Sequence, residues 1–375
     1  MNILIILTFA PMQSRHHALD YLRGLAALSI MIYHYAGFVY GHFDASTFIQ
    51  RVGVYGVSIF YILSGLTLYL VYNKRWDNSL STLKDFTLKR LFRIFPLLWL
   101  VMAGTILFKG IPDVSKVILN ATGLFGFISP ISYIGISMWS IGNELVFYAF
   151  FPFLMLLVKR SVALFFTGVT LLGLLYTWFA FAGLSPAETM AEQWETYINP
   201  LNQVFLFATG IALAYWFKQS TFNKVSILSV LLLSIAAFAL VPTEGDAIHL
   251  VTGINRLLFT VFVATVCFCF YKLPFSLPAW LHNPLSFLGE VSYGMYLLHP
   301  VVYLAINKAL GLAGVSVTEL TKVVAAIPLT LLSSYIVYTY FEKYFIQLGK
   351  RYSQQQPIPY VKAPEKQEQP AQVEA

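Results

Sequence analysis

An arginine and a histidine lie eleven positions apart in an otherwise apolar stretch near the start of the chain, at Arg23 and His34. Eleven steps of about 100° bring the second side chain back to within roughly 20° of the first, so both lie on one helix face. A rise of about 1.5 Å per residue separates them by roughly 16 Å along the helix axis. A guanidinium and an imidazole at two depths of one face could bind an anionic ligand and move a proton.

Composition defines the environment of these two groups. Of the 375 residues, 58% are hydrophobic and only 11% are charged, and the mean hydropathy is +0.70. Soluble domains carry about 25% charged residues, so the sequence predicts an all-α, polytopic membrane protein. The net charge of +7 requires no nucleic-acid partner, because basic cytoplasmic loops account for it.

Metal, disulfide and nucleotide-loop chemistry have no support in the sequence. The two cysteines, Cys267 and Cys269, are two apart in an apolar run, where they face different sides of a helix. No cluster of cysteine and histidine has zinc-ligand spacing, and no glycine-rich phosphate loop occurs. We therefore expect no metal.

Ten apolar segments are long enough to cross a bilayer. Lysine and arginine collect between alternate segments, whereas the loops around Glu192 and Glu244 are acidic. Because basic residues mark the cytoplasmic side, this distribution predicts ten transmembrane helices with both termini in the cytoplasm. The predicted helices cover residues 18–39, 52–72, 90–108, 138–158, 162–182, 200–217, 225–242, 253–271, 286–307 and 322–345.

Residues 111–136 are apolar enough to suggest an eleventh helix, but they are interrupted by prolines and glycines. An eleventh helix would also place Lys159 and Arg160 outside. We interpret the segment as a re-entrant or interfacial piece on the outer face, with a span as the alternative. The membrane domain is then 18–350, preceded by a cytoplasmic segment 1–17 with a possible translation start at Met12. Residues 351–375 are rich in Gln, Pro, Glu and Lys and are predicted to be disordered.

Ionisable side chains inside apolar spans are costly, and they usually mark functional sites. In the predicted topology Arg23, Arg90 and Arg93 lie at the cytoplasmic ends of their helices and His34 lies near mid-membrane. Glu144 and His299 follow toward the outer face. Guanidinium groups pair with phosphate oxygens, and a buried histidine can take a proton from a hydroxyl. This order predicts a phosphate-bearing donor that enters from the cytoplasm and reacts with a hydroxyl within the membrane.

Structural explanations remain open for several of these residues. Arg90 and Arg93 flank a span, which is typical of positive-inside anchors. His299, next to a proline, could be a satisfied interfacial histidine. Ser64 precedes a glycine, and this pair predicts a close helix contact, with a substrate-facing serine as the alternative.

Five blocks of the chain, in this order, resemble the acyltransferase-3 family of integral membrane O-acyltransferases. The first contains Arg23 and His34 at the family's spacing, and the third matches its Arg-x-x-Arg-Ile-x-Pro pattern. The fourth matches at Trp139, Glu144 and Tyr148. The blocks are Leu19-Asp-Tyr-Leu-Arg-Gly-Leu-Ala-Ala-Leu-Ser with the following His34, Gly56-Val-Ser-Ile-Phe-Tyr-Ile-Leu-Ser-Gly-Leu66, Phe86-Thr-Leu-Lys-Arg-Leu-Phe-Arg-Ile-Phe-Pro96, Trp139-Ser-Ile-Gly-Asn-Glu-Leu-Val-Phe-Tyr148 and Leu288-Gly-Glu-Val-Ser-Tyr-Gly-Met-Tyr-Leu-Leu-His-Pro300.

The resemblance implies that an acyl group, most often acetyl from acetyl-CoA, is moved to a hydroxyl of a cell-envelope or exported glycan or glycolipid. The implied location is the plasma membrane, the inner membrane of a bacterium. Two departures are visible: Ser58 stands where an acidic residue is frequent, and Asn143 precedes a single glutamate where two often adjoin. The implied site has catalytic His34 and Glu144, acyl-CoA-binding Arg23, Arg90 and Arg93, and substrate contacts at Ser64, Trp139, Tyr148 and His299.

Two other classes of protein share most of these features. A transporter or exporter of a glycan or small anion could use the same ionisable column as a permeation path. A receptor-like membrane module without turnover would fit if the Arg23 and His34 pair were dispensable. The sequence leaves open the identity of the acceptor, the length of the acyl group and the oligomeric state. It also leaves open whether His34 acts as a base or as a transient acyl carrier.

Overall fold

The computed structural model describes residues 16–273 and 277–353, and every regular element in those ranges is a helix. The prediction of an all-α architecture is confirmed. The proposed start at Met12 and most of the predicted 351–375 tail lie outside the described residues. The α-helices are α1 His17–Tyr40, α2 Phe48–Tyr72, α3 Leu80–Lys109, α4 Val114–Thr122, α5 Phe125–Ile128, α6 Met138–Arg160, α7 Val162–Trp178, α8 Trp194–Tyr197, α9 Pro200–Phe217, α10 Lys224–Leu240, α11 Ile248–Val251, α12 Gly253–Lys272, α13 Ala279–Leu312, α14 Glu319–Ile336 and α15 Lys343–Tyr352.

Within the described ranges, nine helical stretches are long and apolar enough to cross a membrane. Two of them include a π-helical turn: α7 continues through Phe179–Gly183, and α14 joins α15 through Val337–Glu342. The remaining predicted span, 225–242, corresponds to α10, an apolar helix of 17 residues that is shorter than these nine stretches. The chain is therefore a multi-pass membrane protein, and the cytoplasmic side of its termini stays a prediction.

Helix α3 begins ten residues before the predicted span at 90–108. Ser79 caps its first turn, because the Ser79 hydroxyl accepts a hydrogen bond from the backbone N–H of Thr82 at 3.1 Å. The early start adds three polar turns, which a hydropathy window excludes. Arg90 and Arg93 consequently lie well inside α3 rather than at its end.

The interrupted segment 111–136 does not form a spanning helix. It folds into α4 of nine residues, α5 of four and a 3₁₀ turn at Pro130–Ser132. The buried Asn120 side chain joins these pieces, since it donates to the carbonyl of Ser132 at 2.7 Å and accepts from the N–H of Ile134 at 3.2 Å. The prediction that this segment is not an eleventh span is confirmed.

The α2 and α9 helices touch backbone to backbone at two glycines. A β-carbon placed on Gly65 would lie 2.0 Å from the carbonyl oxygen of Phe207, and one on Gly210 would lie 2.0 Å from that of Ile62. Small residues permit such contact between membrane helices. The close helix contact predicted beside Ser64 is therefore present.

The side chain of a buried arginine caps the C-terminus of α10. The Arg51 side chain, 2% exposed, donates to the carbonyls of Phe238 at 2.9 Å, Ala239 at 2.6 Å and Val241 at 2.7 Å. These are carbonyls at the C-terminus of a helix, which lack intrahelical partners and carry partial negative charge. Arg51 was not singled out from the sequence, and its contacts give it a structural role.

Candidate active site

The three arginines predicted to bind the donor line a single cavity of about 310 Å³. Helices α1, α2, α3, α6 and α13 wall this space, which we call the arginine cavity. Each predicted cation lies on a different part of the wall: Arg23 on α1, and Arg90 and Arg93 one turn apart on α3. Ser64, Glu144 and Tyr148 also line it.

The three cations have different partners. Arg23 forms an ion pair with Asp20 at 2.8 Å, one helical turn earlier. Arg90 stacks over the ring of Tyr148, 5.8 Å from its centroid, and its buried Nε has no hydrogen-bond partner in the described structure. Arg93 is exposed to the cavity. The cavity therefore presents guanidinium donors that an anion could engage.

Glu144 lies among the arginines. Its Oε1 accepts a hydrogen bond from the hydroxyl of Ser64 on α2 at 3.4 Å, and another from the hydroxyl of Tyr148, one turn along α6. The sequence predicted Glu144 beyond His34, toward the outer face; the structure brings it into the same cavity as Arg23, Arg90 and Arg93.

His34 lines a second cavity, of about 450 Å³, rather than the arginine cavity. Aromatic rings make up much of the wall of this second cavity, so we call it the aromatic cavity. Its polar members are Gln50, His42 and Asp246. Its aromatic members are Tyr33, Phe43, Trp139, Trp194, Tyr197 and Tyr296.

His299 stacks on His34 with ring centroids 5.2 Å apart and planes 26° apart. The His299 Nδ1 lies 3.1 Å from the carbonyl oxygen of Met295, which fixes the proton on Nδ1. Its Nε2 then carries a lone pair, and this buried atom has no partner in the described structure. The two histidines form one unit, in which His34 is half-buried and His299 is fully buried.

The predicted substrate residues divide between the cavities. Trp139 lies in the aromatic cavity, where its ring is 5.4 Å from that of Trp194, whereas Ser64 and Tyr148 lie in the arginine cavity. Sequence reasoning missed Tyr296, which lines both cavities. Its only signal was its position within the late block, three residues before His299.

Comparison with known families identifies the family of the chain. Residues 16–339 match a family model described as "Acyltransferase domain" of the acyltransferase-3 family. The chain belongs to this family. The matched range includes every predicted site residue, and this acyltransferase-3 protein is accordingly a membrane O-acyltransferase.

Two curated relatives resemble this acyltransferase over most of its length. A "Putative acetyltransferase ORF330" of Acidianus two-tailed virus is 27% identical over 301 residues, 78% of this chain and 84% of the viral protein. The "Peptidoglycan O-acetyltransferase OatA" of Listeria monocytogenes serovar 1/2a is 24% identical over 323 residues, 76% of this chain and 49% of that protein. No solved structure matches.

Proposed function

We propose that this acyltransferase moves an acetyl group from cytoplasmic acetyl-CoA to a hydroxyl of a cell-envelope or exported glycan, at the plasma membrane. The observation that carries the proposal is the convergence of Arg23, Arg90 and Arg93 on one cavity that adjoins a second, histidine-bearing cavity. The first cavity has the chemistry for the donor and the second has the chemistry for the acceptor. Both termini would then be cytoplasmic, as the basic loops predict.

The donor site would be the arginine cavity. The planar guanidinium groups of Arg90 and Arg93 suit the phosphates of coenzyme A. The ion pair with Asp20 holds the Arg23 guanidinium in a fixed position. Both relatives are named as acetyltransferases, which supports a two-carbon acyl group. Tyr148, under the Arg90 guanidinium, and Glu144, which accepts a hydrogen bond from Tyr148, would hold Arg90 in position for the phosphates of coenzyme A.

The acceptor site would be the aromatic cavity. Flat rings such as Trp139, Trp194 and Tyr197 can cover the apolar face of a sugar, while Gln50 and Asp246 can bind its hydroxyls. The relative from Listeria is named for peptidoglycan, a glycan of the cell envelope. A carbohydrate acceptor is therefore the substrate class that we propose for this cavity.

In the proposed reaction, His34 removes the proton from the acceptor hydroxyl as the oxygen attacks the thioester carbonyl. A carbon–oxygen bond forms and the carbon–sulfur bond breaks. Coenzyme A leaves as a thiolate and takes up the proton that His34 removed, so that the imidazole is neutral again for the next turnover. His299, stacked on His34, holds the imidazole in place.

Replacing His34 tests the proposal directly. His34→Ala should lower transfer of labelled acetyl from acetyl-CoA to envelope glycan by about 10²-fold or more, since general-base catalysis contributes that much. The protein level in the membrane should not change. His249→Ala is the matched control, because His249 lines neither cavity. Full transfer by His34→Ala would refute the assignment of the base, and wild-type protein that never consumes acetyl-CoA would favour a transporter.

A further inference from the structure

The two cavities share two wall residues, Val57 on α2 and Tyr296 on α13. Both are nearly buried, at 5% and 6% exposure, so they lie between the cavities rather than at a mouth. Tyr296 is the larger, and its phenol therefore occupies much of the boundary. Any group that passes from one cavity to the other meets this ring.

Three contacts hold the Tyr296 ring across the boundary. The hydroxyl lies 2.7 Å from the Ser140 hydroxyl on α6, and the ring lies 5.7 Å from Phe60 on α2. On its own helix the ring packs 6.2 Å from His299. Tyr296 thus connects α13 to α6 and α2 at the point where the two cavities meet.

The direction of the Tyr296–Ser140 hydrogen bond follows from counting protons. Ser140 has one O–H, and it donates to the backbone carbonyl of Ser137 at 3.1 Å. The shared proton at 2.7 Å therefore comes from Tyr296, whose hydroxyl donates to Ser140. This hydrogen bond joins two uncharged hydroxyls, so it is weaker than a bond to an ionised group and can be exchanged for one to an arriving hydroxyl.

We propose that Tyr296 is the partition between the donor and acceptor cavities, and that acyl transfer occurs where its ring stands. This inference rests on the proposed function and adds the residue at which the two substrates meet. With the ring in place, the thioester is shielded from water in the aromatic cavity. When the acceptor arrives, the phenol leaves Ser140 and the acceptor hydroxyl reaches the acyl carbon beside it. Tyr296 is a positioning residue in this scheme.

Removal of the Tyr296 ring should uncouple acetyl-CoA cleavage from transfer of the acetyl group to glycan. Tyr296→Ala should raise the ratio of acetyl-CoA hydrolysis to glycan transfer by about tenfold, equivalent to 1.4 kcal/mol, because water then reaches the thioester. Tyr296→Phe keeps the ring and should raise the ratio less. The matched control is Tyr303→Ala, an aromatic truncation two turns later on α13, because Tyr303 lines neither cavity. The measurement is the release of labelled acetate and labelled glycan by purified protein in lipid vesicles.

A labelling experiment gives a readout independent of turnover. Thr67 lines the arginine cavity only, and Thr67→Cys places a thiol there. A membrane-impermeant maleimide, applied from the face that carries the loops 41–47 and 241–247, should label this cysteine in Tyr296→Ala and not with Tyr296 present. The native Cys267 and Cys269 are buried and are replaced by alanine in both backgrounds.

The outcomes separate the two proposals. If wild-type protein transfers acetyl but Tyr296→Ala and Tyr303→Ala show the same hydrolysis-to-transfer ratio, Tyr296 does not separate the two cavities. Equal labelling of Thr67→Cys with and without the Tyr296 ring would overturn the inference as well. Absence of any acetyl-CoA turnover in the wild type would instead contradict the proposed function.

Discussion

Arg90 is the cation whose surroundings a lysine could not reproduce. Its guanidinium stacks over the Tyr148 ring, and its Nε points into a buried position without a hydrogen-bond partner in the described structure. A lysine keeps the charge but loses both the planar fork and the stacking. A lysine at position 90 therefore tests whether the proposed donor site needs the geometry of a guanidinium or only its charge.

Arg90→Lys should raise the KM for acetyl-CoA by about tenfold, the equivalent of one lost charge-assisted hydrogen bond, with a smaller effect on kcat. Steady-state kinetics at saturating acceptor measure both constants. Arg160→Lys, at the exposed C-terminus of α6, is the control for the loss of a guanidinium. An unchanged KM would show that Arg90 is only an anchor for α3.

The sequence identified candidate site residues more readily than it identified the residues that surround them in space. Charges in apolar helices mark Arg23, His34 and Glu144 in the sequence alone, because burial of an ionisable group is costly. Their division between two cavities was not predictable, since it depends on how five helices pack. Tyr296 gave no comparable signal, because tyrosine is an ordinary packing residue in membrane helices.

At the scale of helices, the α2–α9 contact requires glycine. Gly210→Ala should destabilise the protein by about 1–3 kcal/mol, since the new methyl group would collide with the backbone of α2 near Ile62. Gly37→Ala in α1 is the matched control, because no atom lies within 4 Å of the added carbon. Thermal unfolding in detergent gives the comparison. Equal melting temperatures for the two variants would mean that α2 and α9 can separate without cost.

Helix positions followed from hydropathy, but helix ends did not. The predicted span 200–217 has the same bounds as α9, whereas α3 and α13 extend beyond their predicted spans by polar turns at one or both ends. A hydropathy window stops at lysine and arginine, although capping allows the helix to continue past them. The π-helical turns at Phe179–Gly183 and Val337–Glu342 have no simple signal in the sequence. An extra residue rotates the helix face that follows, but this rotation is hard to see in spans that are apolar on most faces.

For the molecule as a whole, one carboxylate joins two distant loops at the mouth of the aromatic cavity. Asp44 accepts hydrogen bonds from the backbone N–H groups of Ser46 and Gly245, each at 2.8 Å, and Ala45 donates to the carbonyl of Gly245 at 2.8 Å. Hydrogen bonds from Ser46, followed by the one from Gly245, lower the pKa of the Asp44 carboxyl below its ordinary value. The folded state therefore favours the charged form.

This linkage predicts a dependence of stability on pH. Because the folded pKa lies below the unfolded one, the contribution of Asp44 is complete above the unfolded pKa, about 3.9, and disappears as the pH falls through the folded value. The drop in melting temperature between pH 6 and pH 3 should be smaller for Asp44→Asn than for the wild type. Glu244→Gln, an exposed change in the partner loop, is the control. Identical pH profiles for wild type and Asp44→Asn would contradict the linkage.

Helix α1 also fixes the distance between an ionisable group in one cavity and an ionisable group in the other. It is one continuous helix from His17 to Tyr40, so Arg23 in the arginine cavity and His34 in the aromatic cavity keep a fixed axial separation of roughly 16 Å. In the proposed reaction, a donor must hold its anionic anchor and its reactive carbon about that far apart. The long pantetheine arm of an acyl-CoA has this reach, whereas an acyl phosphate carries its acyl carbon next to the phosphorus. Under the proposed function, the length of one rigid helix would therefore select donors by the distance between their anionic group and their acyl carbon.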